Sequence, residues 1–130
     1  MNRIKLIFAV AIAAVAFIPA PANALPTLQA QRDITIIRIN SAALNRAKNR
    51  ARQAAVEANG GLSQYRPEDA MHGPAERAPY VDNGDGTWTF NIRGRRPNSN
   101  VFTIETVVTV SQDGQRVDVD YNGPMRDRGL

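Results

Sequence analysis

The chain has 130 residues, with 16 basic and 12 acidic side chains, one histidine and no cysteine. The lack of thiols excludes a disulfide framework, a cysteine nucleophile and any cysteine-based metal or redox site. The formal charge of +4 is modest and demands no polyanionic partner.

The N-terminus has the order of a secretory signal peptide. Met1–Lys5 carries Arg3 and Lys5 without an acid, and an unbroken apolar run follows from Leu6 to Ile18. Spanning a bilayer takes roughly 20 apolar residues, more than this run offers. Pro19 and Pro21 stop any helix there, and Ala22-Asn23-Ala24 supplies the small-x-small cleavage site. The expectation is a signal peptide over residues 1–24, with an N-terminal membrane anchor as the rival reading. No Arg-Arg pair precedes the run, which favours general secretion over the twin-arginine route. Without a cysteine at the cleavage site, a lipid-anchored product is excluded. Removal of Arg3 and Lys5 leaves fourteen basic against twelve acidic residues, a balance of +2. The expected location is the periplasm or the cell exterior, or the thylakoid lumen where the source has internal thylakoids.

Residues 25–40 form a lead-in. Within it, the β-branched run Asp33–Ile39 fits either a short strand or the start of a long helix capped by Asp33. From Ser41 the helical pattern is plain: Leu44, Ala47, Ala51, Ala54, Ala55 and Ala58 recur at three- and four-residue steps. Asn59-Gly60-Gly61 ends the run, Gly60 suiting a left-handed cap. The mostly alanine face lets the helix lie close to its neighbour. Leu62–Pro79, with three prolines and Gly73, is a long irregular stretch.

The rest alternates as sheet. Thr87–Arg93, Phe102–Val110 and Arg116–Tyr121 are the expected strands, with Tyr80–Asp82 paired to the first across Asn83–Gly86. Asp113-Gly114 signals a two-residue hairpin. That turn pairs Val110 with Val117, Val108 with Val119 and Thr106 with Tyr121 on one apolar face. The opposite face then pairs Thr109 with Asp118, Val107 with Asp120 and Glu105 with Asn122. Trp88, Phe90 and Ile92 join the apolar face, and the alanine-rich helix covers it. The expected fold is α+β: one main helix on a three- to four-stranded antiparallel meander over residues 41–122, with a flexible tail over 123–130.

Four motifs carry a resemblance: Ala58-Asn59-Gly60-Gly61-Leu62, Met71-His72-Gly73-Pro74, Asp82–Phe90 and Asp120-Tyr121-Asn122-Gly123-Pro124. Through them the segment Ala42–Pro124 resembles small, uncharacterised exported proteins of cyanobacterial type. That resemblance implies no activity and no catalytic residues. The helix-then-meander layout is also similar to PepSY and cystatin-like modules, and such a likeness carries no function.

No complete catalytic, cofactor or metal constellation is legible. His72 stands alone in the long loop, and a nucleophile–base pair would have to recruit Ser41 or Ser63 from elsewhere. Glu105, Asp118 and Asp120 could gather on the polar sheet face, which would meet water in any case. Asp82–Gly86 has the wrong spacing for a calcium loop and fits a tight turn. The basic clusters stand out more: Arg46, Lys48, Arg50 and Arg52 on the helix, and Arg93, Arg95 and Arg96 near a loop. Arginine's planar fork suits carboxylates and phosphates, so both clusters are candidate contacts for an anionic protein, polysaccharide or membrane surface. Neither interleaves aromatics, which argues against nucleic-acid readout. The expectation is a non-enzymatic exported binding module. Its alternatives are a small envelope hydrolase using His72 and an electrostatic binder of an anionic polymer or membrane.

Overall fold

A computed structural model describes residues 27–127 of the chain. The expected signal peptide over residues 1–24 lies outside the described residues, as do residues 128–130. Thr27 caps helix α1, its side chain accepting from the Ala30 N–H at 3.3 Å. α1 then runs unbroken over Leu28–Ala58, about 46 Å. The isoleucine-rich run of the lead-in is therefore helix, continuous with the stretch from Ser41, and the cap is Thr27 in place of Asp33. Helix propagation adds one hydrogen bond per residue fixed, so the strong Ala- and Arg-rich half extends easily into a run with no sheet partner to claim it. At the far end Gly61 N–H bonds the Val56 carbonyl and Gly60 N–H the Glu57 carbonyl. With Gly60 at φ 88° this is a Schellman stop.

The sheet has five antiparallel strands: β1 Arg66–Pro67, β2 Tyr80–Asp82, β3 Thr87–Arg95, β4 Ile104–Ser111 and β5 Val117–Pro124. β3, β4 and β5 form the expected meander. The count exceeds four because the long loop supplies β1, paired to Arg95 and Gly94, while β2 pairs further along the same edge of β3. Two 3₁₀ turns, Asp69–Met71 and Ala75–Arg77, link them. The loop thus covers an edge whose backbone groups would otherwise invite another strand.

Phe90, Ile92, Val108 and Val110 are fully buried beneath Ala47, Ala51 and Ala55 of α1, with Trp88 and Leu44 at one end. Tyr65 and Met71 of the loop complete this core.

The expected β4–β5 register holds at Val110↔Val117, Thr109↔Asp118 and Val108↔Val119, then shifts at a bulge. Beyond it Val107 pairs with Tyr121, Thr106 with Asn122 and Glu105 with Gly123. The expected pairs Thr106–Tyr121, Val107–Asp120 and Glu105–Asn122 are thereby corrected. The extra residue is Asp120, whose carboxylate accepts from the Thr109 hydroxyl at 2.5 Å. The shift brings Asn122 to the buried Thr106 hydroxyl, 2.9 Å away, which also accepts from Asn59 at the helix end. It also turns Tyr121 onto the face away from α1. Where a flexible tail is expected from Gly123, β5 continues to Pro124 and Met125 N–H bonds the Thr103 carbonyl.

Gly94 is fixed by close approach. A Cβ there would lie 1.9 Å from Cε2 of the buried Tyr65 ring. Gly94→Ala should therefore destabilise the domain by about 2–3 kcal/mol in urea unfolding. Much of that penalty should vanish in a Tyr65→Leu background, where the ring is gone.

Candidate functional site

Among the described residues, no helix or strand packs across the sheet face turned from α1. Period-two alternation puts Thr89, Asn91 and Arg93 of β3 and Glu105, Val107 and Thr109 of β4 on this outer face. Its chemistry is organised by a row of alternating charges. Glu68, just after β1, accepts from the Arg93 backbone N–H at 2.9 Å and pairs with its guanidinium at 3.2 Å. Arg93 stands opposite Glu105 in the β3–β4 register. Glu105 in turn holds Arg126 through Nε at 3.2 Å, Nη2 at 3.1 Å and the backbone N–H at 3.1 Å.

Both glutamates are buried, Glu105 to 3% exposure, while the two arginine side chains are half exposed. Asn91 donates a further bond to Glu105 at 2.8 Å. Arg126 hydrogen bonds hold the Glu105 carboxyl down to about 2, outweighing the upward push of burial, with Asn91 assisting. The Arg126 guanidinium lies 3.6 Å from the Tyr121 ring centroid and that of Arg93 lies 5.3 Å from Phe102. Each arginine is thus fixed on one side. Arg93 Nε and Nη1 and Arg126 Nη1 have no hydrogen-bond partner among the described residues.

These side chains border a hollow of about 650 Å³ with Pro79 and Met125 on its walls. A second hollow of about 380 Å³, floored by Thr89 and Val107, shares Pro79 and Asn91 with it. Together they form an open groove along the outer face. It can receive an extended polar ligand, with rigid arginine donors at one end and an apolar strip beside them.

The helical basic cluster divides in two. Lys48 is only 5% exposed and donates to the Gly73 carbonyl at 2.5 Å. Burial, with the Arg52 charge adding to it, pulls its ammonium below the usual lysine value. Arg52 donates to the Met71 carbonyl and lies beside His72 Nδ1, both at 3.3 Å. These two cations hold the loop, whereas Arg46 and Arg50 face solvent. At the β3–β4 connection Arg95 donates to the Ser99 carbonyl, and Arg96 is exposed beside Pro97. Of that trio only Arg93 joins the groove.

His72 is exposed and borders a different hollow, with Arg52, Val56 and Pro67, while Glu105 lies in the groove. Asp118 pairs with Arg116 at 3.4 Å and Asp120 sits in the bulge. Among the described residues no three His, Asp or Glu side chains are grouped to hold a metal. Asp82–Gly86 is a turn closed by its own side chains, Asp85 accepting from both the N–H and hydroxyl of Thr87.

Glu68, Asn91 and Arg126 are absent from the sequence-level candidates. Asn91 could have been found by extending the β3 alternation to its polar side. Comparison with family models, curated proteins and solved structures finds no match.

Two predictions follow from this geometry. The folded-state Glu105 carboxyl titrates below its ordinary 4.5, so on acidification the unfolded chain takes the proton first. The stability it contributes is complete above pH 4.5 and lost as the pH falls to about 2. Urea midpoints should drop through that window, and Glu105→Gln should flatten the drop while costing about 1–2 kcal/mol at neutral pH. On the helix, Lys48→Ala should cost about 1–2 kcal/mol and speed amide exchange around His72. Arg46→Ala and Arg50→Ala should stay within about 0.5 kcal/mol of the parent.

Proposed function

We propose that the protein is an exported, non-enzymatic binding module that takes its ligand in the outer groove of the sheet. The carrying observation is the pair of half-exposed arginines, each fixed by a buried glutamate, at the end of an uncovered groove. Donors fixed before the ligand arrives lose little entropy on binding, and arginine N–H groups suit a carboxylate or phosphate on an extended chain. Export rests on the charged, apolar, small-x-small order of residues 1–24, and the working compartment is the periplasm, the cell exterior or a thylakoid lumen. No described helix is long and apolar enough to cross a membrane. Binding is favoured over hydrolysis at His72 because Glu105 is held by Arg126 and Asn91, Asp118 pairs with Arg116, and His72 borders another hollow.

The module resembles the small exported proteins of cyanobacterial type in sequence, which is consistent with a role in the envelope. The electrostatic alternative now falls on Arg46, Arg50 and Arg96, the exposed members of the basic clusters that lie outside the groove.

A photo-crosslinking residue at Val107 should capture an envelope ligand in cells producing the full precursor. Thr89→Trp, which fills the groove from an outward position and gives up the Thr89 hydroxyl's bonds to Asn83 and Thr109, should abolish capture while costing no more than about 1–2 kcal/mol in urea unfolding. Capture that survives Thr89→Trp but disappears in Arg46→Gln/Arg50→Gln would move the interface to the helix. Hydrolysis lost in His72→Ala would replace the binding reading altogether.

A further inference from the structure

The N-terminal part of α1, residues 28–40, projects past the sheet as a stem about 20 Å long. Its large apolar residues lie open: Ile34 is 46% exposed, Ile36 55%, Ile37 63% and Ile39 61%. At about 100° per residue they do not share one side. Ile34 and Ile37 continue the stripe that enters the core at Leu44, while Ile36 and Ile39 point elsewhere. A helix apolar on several sides calls for more than one wall.

Such walls exist at the base of the stem. A notch of about 350 Å³ separates it from the domain edge, bordered by Ile37 and Leu44 on the helix and by Tyr80, Trp88, Glu76 and Asp82 opposite. Its lining joins these apolar side chains to the two acids, with Asn40, Ser41 and Gln112 as neutral polar neighbours. The stem is apolar and carries Arg32 and Arg38 against a single acid, Asp33. Stem and notch are thus complementary in polarity and in charge.

We propose that a second copy of this chain occupies the notch. The two stems pack antiparallel through Ala30, Ile34 and Ile37, and each stem tip enters the other copy's notch. One side of the inserted helix then meets the first stem and another meets the domain edge, which accounts for isoleucines on several sides. The exchange is isologous, so a two-fold axis closes it as a dimer. A membrane surface fits less well, because an interfacial helix keeps its charges on one polar face. Here Arg32, Asp33 and Arg38 are spread around the stem.

Sedimentation of the full mature chain should show a dimer whose dissociation constant rises about tenfold or more in Arg32→Glu, the cation nearest the inserted tip. Adding Glu76→Arg/Asp82→Arg to that variant should restore it. The substituted residues are exposed, and unchanged circular dichroism would confirm the fold. Because the chain lacks cysteine, mixed Ala30→Cys and Ile37→Cys chains should form the heterodisulfide in preference to either homodisulfide. A monomer up to about 100 µM would overturn the proposal. So would preferential linkage of like to like, which marks a parallel pair, or a monomeric chain that binds anionic vesicles through the stem.

Discussion

Two buried glutamates on the outer side of the sheet hold its irregular segments in place. Glu68 lies in the loop and Glu105 in a central strand, and each takes an arginine from a segment distant in sequence. A buried carboxylate without a partner would cost several kcal/mol, so each pairing is enforced. Glu68 also accepts a backbone N–H of β3, tying the loop to that strand's edge, and Glu105 accepts the Arg126 N–H, tying down the segment after β5. With loop and C-terminal segment fixed at the margins, the centre of the outer face stays open. One row of charges therefore closes the fold and shapes the groove.

The inner face is built by close approach. Alanines at the contact let α1 lie near the sheet, so β-branched and aromatic residues of β3 and β4 fill the layer between. The absent side chain at Gly94 makes room for Tyr65, whose burial raises its hydroxyl above the usual tyrosine value. Lys48 and Arg52 reach from the same helix to loop carbonyls. In a chain this small, two cations that resemble a binding patch in sequence serve as struts for a loop short of its own secondary structure.

This explains which parts were legible in the sequence. The helix stop and the alternation of β3 and β4 are local patterns and appear where expected, as does the alanine face up to Ala55, whereas Ala58 is exposed and β5 keeps its expected alternation only as far as Val119. The register near Asp113-Gly114 is also local. It changes at Asp120 because Asn122 meets the Thr106 hydroxyl and the Ala58 carbonyl at the helix end, a choice fixed by tertiary contacts far from the turn. The helix over residues 33–40 was undecidable by propensity, since its isoleucines suit a strand and no burial resolves the choice. For the groove, β4 alternation placed Glu105 on the outer face, yet its partner Arg126 lay in a stretch with no pattern. Glu68 was equally hidden, because its partner Arg93 is 25 residues away.

The long helix joins the two functional readings. A helix that only covered the sheet could begin near Ser41, where contact with the core starts. The additional turns expose isoleucine to water, which carries a hydrophobic cost unless something covers them. A second copy seated in the notch would cover them and meet the outer groove only at its Tyr80 end, because the rest of the groove lies on the opposite side of the sheet from α1. Dimerisation would then present two grooves to one extended ligand, and a ligand spanning both would bind more tightly than either groove alone. Under this arrangement the stem sets avidity and the arginine pair sets chemistry. The two surfaces adjoin at Tyr80, which borders both the notch and the groove's second hollow, while the arginine pair lies at the groove's other end.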